Sequence, residues 1–153
     1  MGIAKLIAKM KEVAFEQPWY GESAEAVLRV LENPNAGLPG GNTVGQILEH
    51  TNQWCRFTLE RARGNNNFDV ELGSLNDWNR GKRYSNEEFE VLKKDFFQLH
   101  AELLDVLKDK DDQWLNQQVH GKPYTLGRIV EGIIDHDIAH LAQMSLLRRL
   151  KMA

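Results

Sequence analysis

Four stretches of this chain repeat apolar residues at helical spacing, and each is bounded by residues that start or stop helices. That pattern leaves room for little but an all-α fold. The first stretch runs from Ile3 to Glu16, breaks near Pro18 and resumes from Glu22 to Glu32, with Ala24, Val27, Leu28 and Leu31 facing inward. Residues 33–42 are rich in proline, glycine and asparagine and form a loop. The second stretch begins at Thr43, with Gln46 three residues on, and ends before Gly64. The third begins at Ser85, with Glu88 three residues on, and continues to about Lys108. Both starts have capping-box spacing, in which each side chain satisfies a backbone N–H of the other residue. Phe89, Leu92, Phe96, Leu99, Leu103 and Leu107 give the third stretch its buried stripe. The fourth starts near Thr125, after Pro123, and runs to the C-terminus. Nothing alternates long enough for a sheet, and nothing repeats internally. Four apolar stripes joined by links of unequal length predict a four-helix bundle, with residues 1–153 as one domain. The longest link, residues 68–84, is expected to cover one end of the bundle, because long ordered loops in compact domains usually carry function.

Composition sets limits on partners. A net charge of -3 provides no basic surface for nucleic acid or acidic lipid. One cysteine, Cys55, excludes an internal disulfide and fits a reducing compartment. No apolar run approaches the roughly 20 residues a bilayer span requires. The stretch from Ile3 to Val13 is amphipathic, but its lysines interrupt any secretory core, and its apolar stripe packs more simply into a bundle. A cytoplasmic protein is expected.

Three histidines carry the chemistry. His136 and His140 are four apart, one turn from each other on one helical face. His50 comes from a different helix. On a helical wheel the first two fall beside Ile129, Ile133 and Leu147, and His50 falls with Ile47, Trp54 and Phe57, so all three lie on the edge of apolar arcs. Two readings stand. Each histidine can be a core residue with a single hydrogen bond, or the three can share a metal ion with one coordination position left open. Three buried imidazoles without partners would cost about 1–3 kcal/mol each, which strengthens the case for a shared ion over that for a lone histidine, but spacing alone does not make the two helices neighbours, and both readings stay open.

Other polar residues are weighed on the same wheel. Asp137 points into the apolar arc near Val130, Ile133 and Leu141 and needs a donor, supplied either by a structural partner or by a ligand histidine that it orients; its direction favours the structural partner. His100 lies on an apolar stripe as a core or pocket residue, and His120, before Gly121, lies in a solvated turn. Gln143, one turn beyond His140, is a candidate to line the open metal position. Gly132, one turn before His136, leaves room for a ligand. Trp54, Trp78 and Trp19 are candidates for an aromatic wall against an apolar substrate, or for core. Cys55 sits on an inward arc with no cation expected beside it, so it is read as a small buried hydrophobe rather than a nucleophile. The segment from His136 to His140 superficially matches His-Glu-x-x-His. Asp137 replaces the glutamate with a shorter side chain, and no strand precedes the helix, both of which argue against a protease.

The stretch Tyr124-Thr125-Leu126-Gly127, with the run from Gly132 to Met144, resembles the last helix of DinB-like proteins. The segment from Thr43 to His50, with Trp54, resembles their second helix, and Trp19-Tyr20-Gly21-Glu22-Ser23 is similar to a Trp-x-Gly-x-Ser segment of many members. The likeness covers nearly the whole chain. It implies a four-helix bundle, often a homodimer, with a divalent metal held by His50, His136 and His140. Ala139 and Ala142 stand where many members carry Tyr or His and Gly. Relatives include thiol-dependent S-transferases, an isomerase that uses a low-molecular-weight thiol, and proteins described as metal-dependent hydrolases.

The expectation is therefore a metal-dependent enzyme of thiol-transferase or hydrolase type acting on a small molecule, with zinc or nickel foremost among the metals. Trp54 and Gln143 are the candidate substrate-binding residues. A thiol cofactor would need a cationic rim, for which Arg56, Arg61, Arg80, Lys82 and Arg83 are candidates. The alternative is a non-catalytic metal-binding or stress-response module with a structural metal.

Overall fold

The computed structural model describes residues 1–150. Among them are six helices, α1 (Ile3–Ala14), α2 (Ala24–Val30), α3 (Val44–Ala62), α4 (Asn86–Leu107), α5 (Asp112–Leu115) and α6 (Leu126–Arg149), and no strand beyond one isolated bridge between Gln118 and Thr125. The fold is all-α. α3 packs against α4 and α6, and α1 packs against the same two, so the four long helices close a ring around one core. No described helix is long and apolar enough to cross a membrane.

The helix starts follow the capping chemistry of the sequence. Thr43 and Ser85 each accept from the backbone N–H three residues on, while Gln46 and Glu88 return the bond. Thr125 caps α6 through the Arg128 N–H, and Ser23 caps α2 through the Ala26 N–H. The single turn α5 is too short to have a sequence period. Its Asp112 nevertheless accepts from the Ile3 N–H at 2.8 Å, closing an end of α1 that has no cap of its own.

Leu6 and Met10 of α1, Leu48 and Leu59 of α3, Phe96 and Leu103 of α4, and Ile134 and Met144 of α6 meet in the centre, each almost fully buried. Burial at about 1.5–3 kcal/mol per large apolar side chain is what holds the ring together. Gly45 allows a close approach at the start of α3. A Cβ there would run into the Tyr84 ring and the Pro34 carbonyl, so the α2–α3 loop and the residue before the α4 N-cap both seat on this glycine. The link at 68–84 then crosses the face formed by α3 and α6, where the histidines lie.

Candidate metal centre

Because α3 and α6 run side by side, His50 in the second turn of α3 faces His136 and His140 in the middle of α6. The three meet through the same ring atom. His136 Nε2 lies 2.9 Å from His50 Nε2 and 3.1 Å from His140 Nε2. They are a group able to present one ligand atom each to a common point.

The outer ring nitrogens fix two of the tautomers. His50 Nδ1 lies 2.8 Å from the Asp77 carbonyl and 3.0 Å from its Oδ1, and both are acceptors, so this nitrogen carries the proton and donates. His140 Nδ1 donates to Gln143 Oε1 at 2.7 Å. In both rings the Nε2 lone pair is left pointing inward. Asp77 is itself tied down: its Oδ1 accepts the Trp54 indole N–H at 2.9 Å, and its Oδ2 accepts the Gly73 N–H at 2.8 Å. One face of α3 holds the rest of the link in place. Gln46 donates to the Arg80 and Lys82 carbonyls, Gln53 donates to Asn76, and Glu49 takes Lys82. Trp78 then stacks on His50, with centroids 3.7 Å apart and planes 11° apart.

Burial pushes the His136 pKa down to about 3, and the neighbouring His140 and His50 push the same way. Burial lowers His50 as well, with the bond to Asp77 working against it. Uncharged imidazole is the form that binds a metal. A single proton on His136 Nε2 could bond only one of the two lone pairs that face it, and His136 Nδ1 is buried without a hydrogen-bond partner. Two nitrogens each about 2.1 Å from one ion lie roughly 3.0–3.4 Å apart, so the two separations from His136 are close to what a shared cation requires, and all three ligand atoms lie within 4.8 Å of one another. The donor set fits a divalent metal with three nitrogen ligands. The Asp77–His50 contact is the carboxylate–histidine arrangement that orients such ligands.

The other candidates divide. Gln143 holds the outer nitrogen of His140, and Trp54 splits its role between the bond to Asp77 and a wall of a cavity of about 620 Å³ that His136 and Gly132 also line. Gly132 has open space where a Cβ would stand. Trp19 is 96% exposed and belongs to neither core nor cavity wall. Arg61 is buried, donating to the His120 carbonyl and Asn66, and Lys82 is paired with Glu49. Arg80 and Arg83 are exposed, and His120 is too.

Asp137 takes the structural role: its Oδ2 lies 2.6 Å from His100 Nε2 in the core, away from the nitrogens of the histidine cluster. His100 Nδ1 meets the Phe96 carbonyl at 2.7 Å, so both ring nitrogens face acceptors and the ring is held as a cation. Cys55 Sγ sits 3.7 Å from that ring, which corrects the expectation that no cation lies beside it. The thiol is fully buried, however, and remains a core residue. Asp77 was not legible as a site residue. It lies in an irregular link, and the one available signal was the length of that link.

The family model of the DinB superfamily matches residues 8–144. No curated protein and no solved structure matches the chain.

Proposed function

This chain belongs to the DinB superfamily, and from that membership and the meeting of three imidazole nitrogens we propose a metal-dependent enzyme that acts on a small molecule. The observation that carries the reading is the pair of lone pairs, on His50 and His140, aimed at His136 with no proton arrangement to satisfy both. His50, His136 and His140 would hold a divalent cation, and such an ion would supply Lewis acidity able to lower the pKa of a thiol or of water. The chain's own contribution is orientation. Asp77 fixes the His50 ring and Gln143 fixes the His140 ring, while Trp78 covers one side of His50.

The reaction is thiol transfer or hydrolysis. His136 is partly exposed and borders a cavity, which favours an open, reactive site over a packed structural clip. Imidazole ligands suit zinc and nickel alike. The test is metal content by elemental mass spectrometry on tag-free protein, beside a His136→Ala/His140→Ala double variant. Near one equivalent in the wild type, lost in the variant, supports the reading. No metal in either after reconstitution with zinc or nickel overturns it.

A further inference from the structure

The cavity beside His136 has a composition that names a ligand class. Its inner wall is Phe57, Val70 and Ile133, all buried, with Trp54 tilted at 73° to Phe57 and 5.6 Å from it. The polar groups of that wall are already engaged: the Trp54 indole N–H bonds Asp77, and the Thr58 hydroxyl donates to the Trp54 carbonyl at 3.0 Å. Charge appears only toward the rim, where it cancels. Lys122 is paired with Asp69 at 2.9 Å, and the exposed Arg128 and Glu71 add one charge of each sign. The Tyr124 hydroxyl and the unpartnered His136 Nδ1 are the polar atoms left on the lining, and neither is charged, so the wall penalises a charged group and rewards an aromatic or branched apolar one.

Gly132 supplies the independent observation. It sits in the middle of α6 with an ordinary helical backbone, where glycine costs helix stability relative to alanine. Nothing packs close enough to demand it, since an added Cβ would meet no atom within 4 Å. What its missing side chain provides is space, on the same helix row as His136 and His140 and one turn from the first of them.

We propose that this cavity binds the uncharged, apolar, ring-bearing part of a small molecule, seated between Trp54 and Gly132 beside the histidine cluster. The proposal rests on the metal-enzyme reading only in identifying that molecule as the substrate; the binding itself does not need the metal.

The test uses N-phenyl-1-naphthylamine, an uncharged fluorescent probe, and its anionic analogue 8-anilino-1-naphthalenesulfonate, with full-length protein before and after metal loading. The uncharged probe is expected to saturate at one equivalent and to bind at least about fivefold more tightly than the sulfonate. Gly132→Leu, whose side chain enters open space, is expected to weaken the uncharged probe by about tenfold or more while keeping the wild-type circular dichroism and metal content. Ile129→Trp fills the cavity from another position and is expected to act in the same direction. Equal binding in wild type and both variants, tighter binding of the sulfonate, or no saturable binding each overturns the proposal. One-to-one binding lost in Gly132→Leu, in a wild type that takes up no metal, would sink the metal-enzyme reading and leave the apolar site standing.

Discussion

Replacing Asp77 tests whether the link at 68–84 merely covers the histidines or tunes them. Asp77→Asn keeps the shape and the backbone carbonyl, so His50 Nδ1 retains its 2.8 Å acceptor. It loses a negative charge and one acceptor oxygen, and three donors converge on the two carboxylate oxygens: His50, Trp54 and Gly73. One of them must then face an amide N–H. Partners of this kind are worth about 10–100-fold in metal affinity, and the retained carbonyl puts the asparagine variant near the lower end, roughly tenfold or about 1.4 kcal/mol. Asp77→Ala strips both oxygens and is expected to approach the upper end. Its stability cost comes mainly from the half-buried Trp54 N–H, at about 1–3 kcal/mol, because Gly73 is exposed and water can replace its acceptor. Competition against a chromophoric zinc chelator reads the affinity, and urea unfolding of the metal-free protein reads the stability. Asparagine and wild-type affinities within twofold of each other, with stability lowered, would refute the argument and make Asp77 a strap for the link and nothing more.

Three further outcomes follow from the same geometry. Gly132→Ala is expected to raise apo stability by up to about 1 kcal/mol because it adds helix propensity in open space, whereas Gly45→Ala is expected to lower it by about 1–3 kcal/mol because Tyr84 and the Pro34 carbonyl stand in the way; urea midpoints of the two variants, moving in opposite directions, check both. Burial alone would push the His100 pKa down, but Cys55 and Asp137 against the ring hold it well above its usual value. The folded state therefore binds this proton more tightly than the unfolded chain. The stability it contributes is complete below about pH 6.5 and falls by up to about 1.4 kcal/mol per pH unit as pH rises toward the folded-state value. Unfolding from pH 6 to 9 should show that slope in the wild type and a shallower one in His100→Gln. In cobalt-loaded protein, added thiocyanate is expected to shift the visible ligand-field bands, and an unchanged spectrum at saturating anion would mean a closed, structural site.

The long helices and the pairing of two of the clustered histidines were legible because their signals are local. Thr43 with Gln46, and Ser85 with Glu88, announce helix starts over three residues, and His136 with His140 share a face by spacing alone. His50 joined them from the wheel and from the resemblance to known second helices. The illegible contacts all bridge long stretches of chain. Asp77 reaches back 27 residues to His50, and Asp137 reaches back 37 to His100. No periodicity encodes either pairing, since one partner of the first lies in irregular chain and those of the second lie on helices whose neighbour relation appears only in the packed ring. The same holds for Cys55, whose neighbour His100 comes from α4. Gln143 shows a subtler limit. Its position beside His140 was readable, but whether it met the ring's outer nitrogen or the space beyond depended on a side-chain direction that spacing does not fix.

His136 and Asp137 are consecutive, and the turn of α6 sends them into opposite chemical settings. About 100° of rotation puts His136 into a cluster whose chemistry needs free lone pairs, and Asp137 into a core site whose chemistry needs a proton on His100. Burial favours uncharged imidazole in both places. It prevails at His136, where the nearest titratable groups are other imidazoles, and it is overridden at His100 by a carboxylate at 2.6 Å. Exchanging the two environments would damage both: a carboxylate turned toward the cluster would favour protonated, non-ligating imidazole, and Asp137 without His100 would be a bare charge in the core, costing about 3–5 kcal/mol. Asp137→Asn separates the effects. It is expected to cost folding stability, through the lost pair, while leaving the metal stoichiometry of His50, His136 and His140 intact. Loss of metal from a folded Asp137→Asn protein would mean that the two histidine systems are coupled through α6 and are not separated by direction alone.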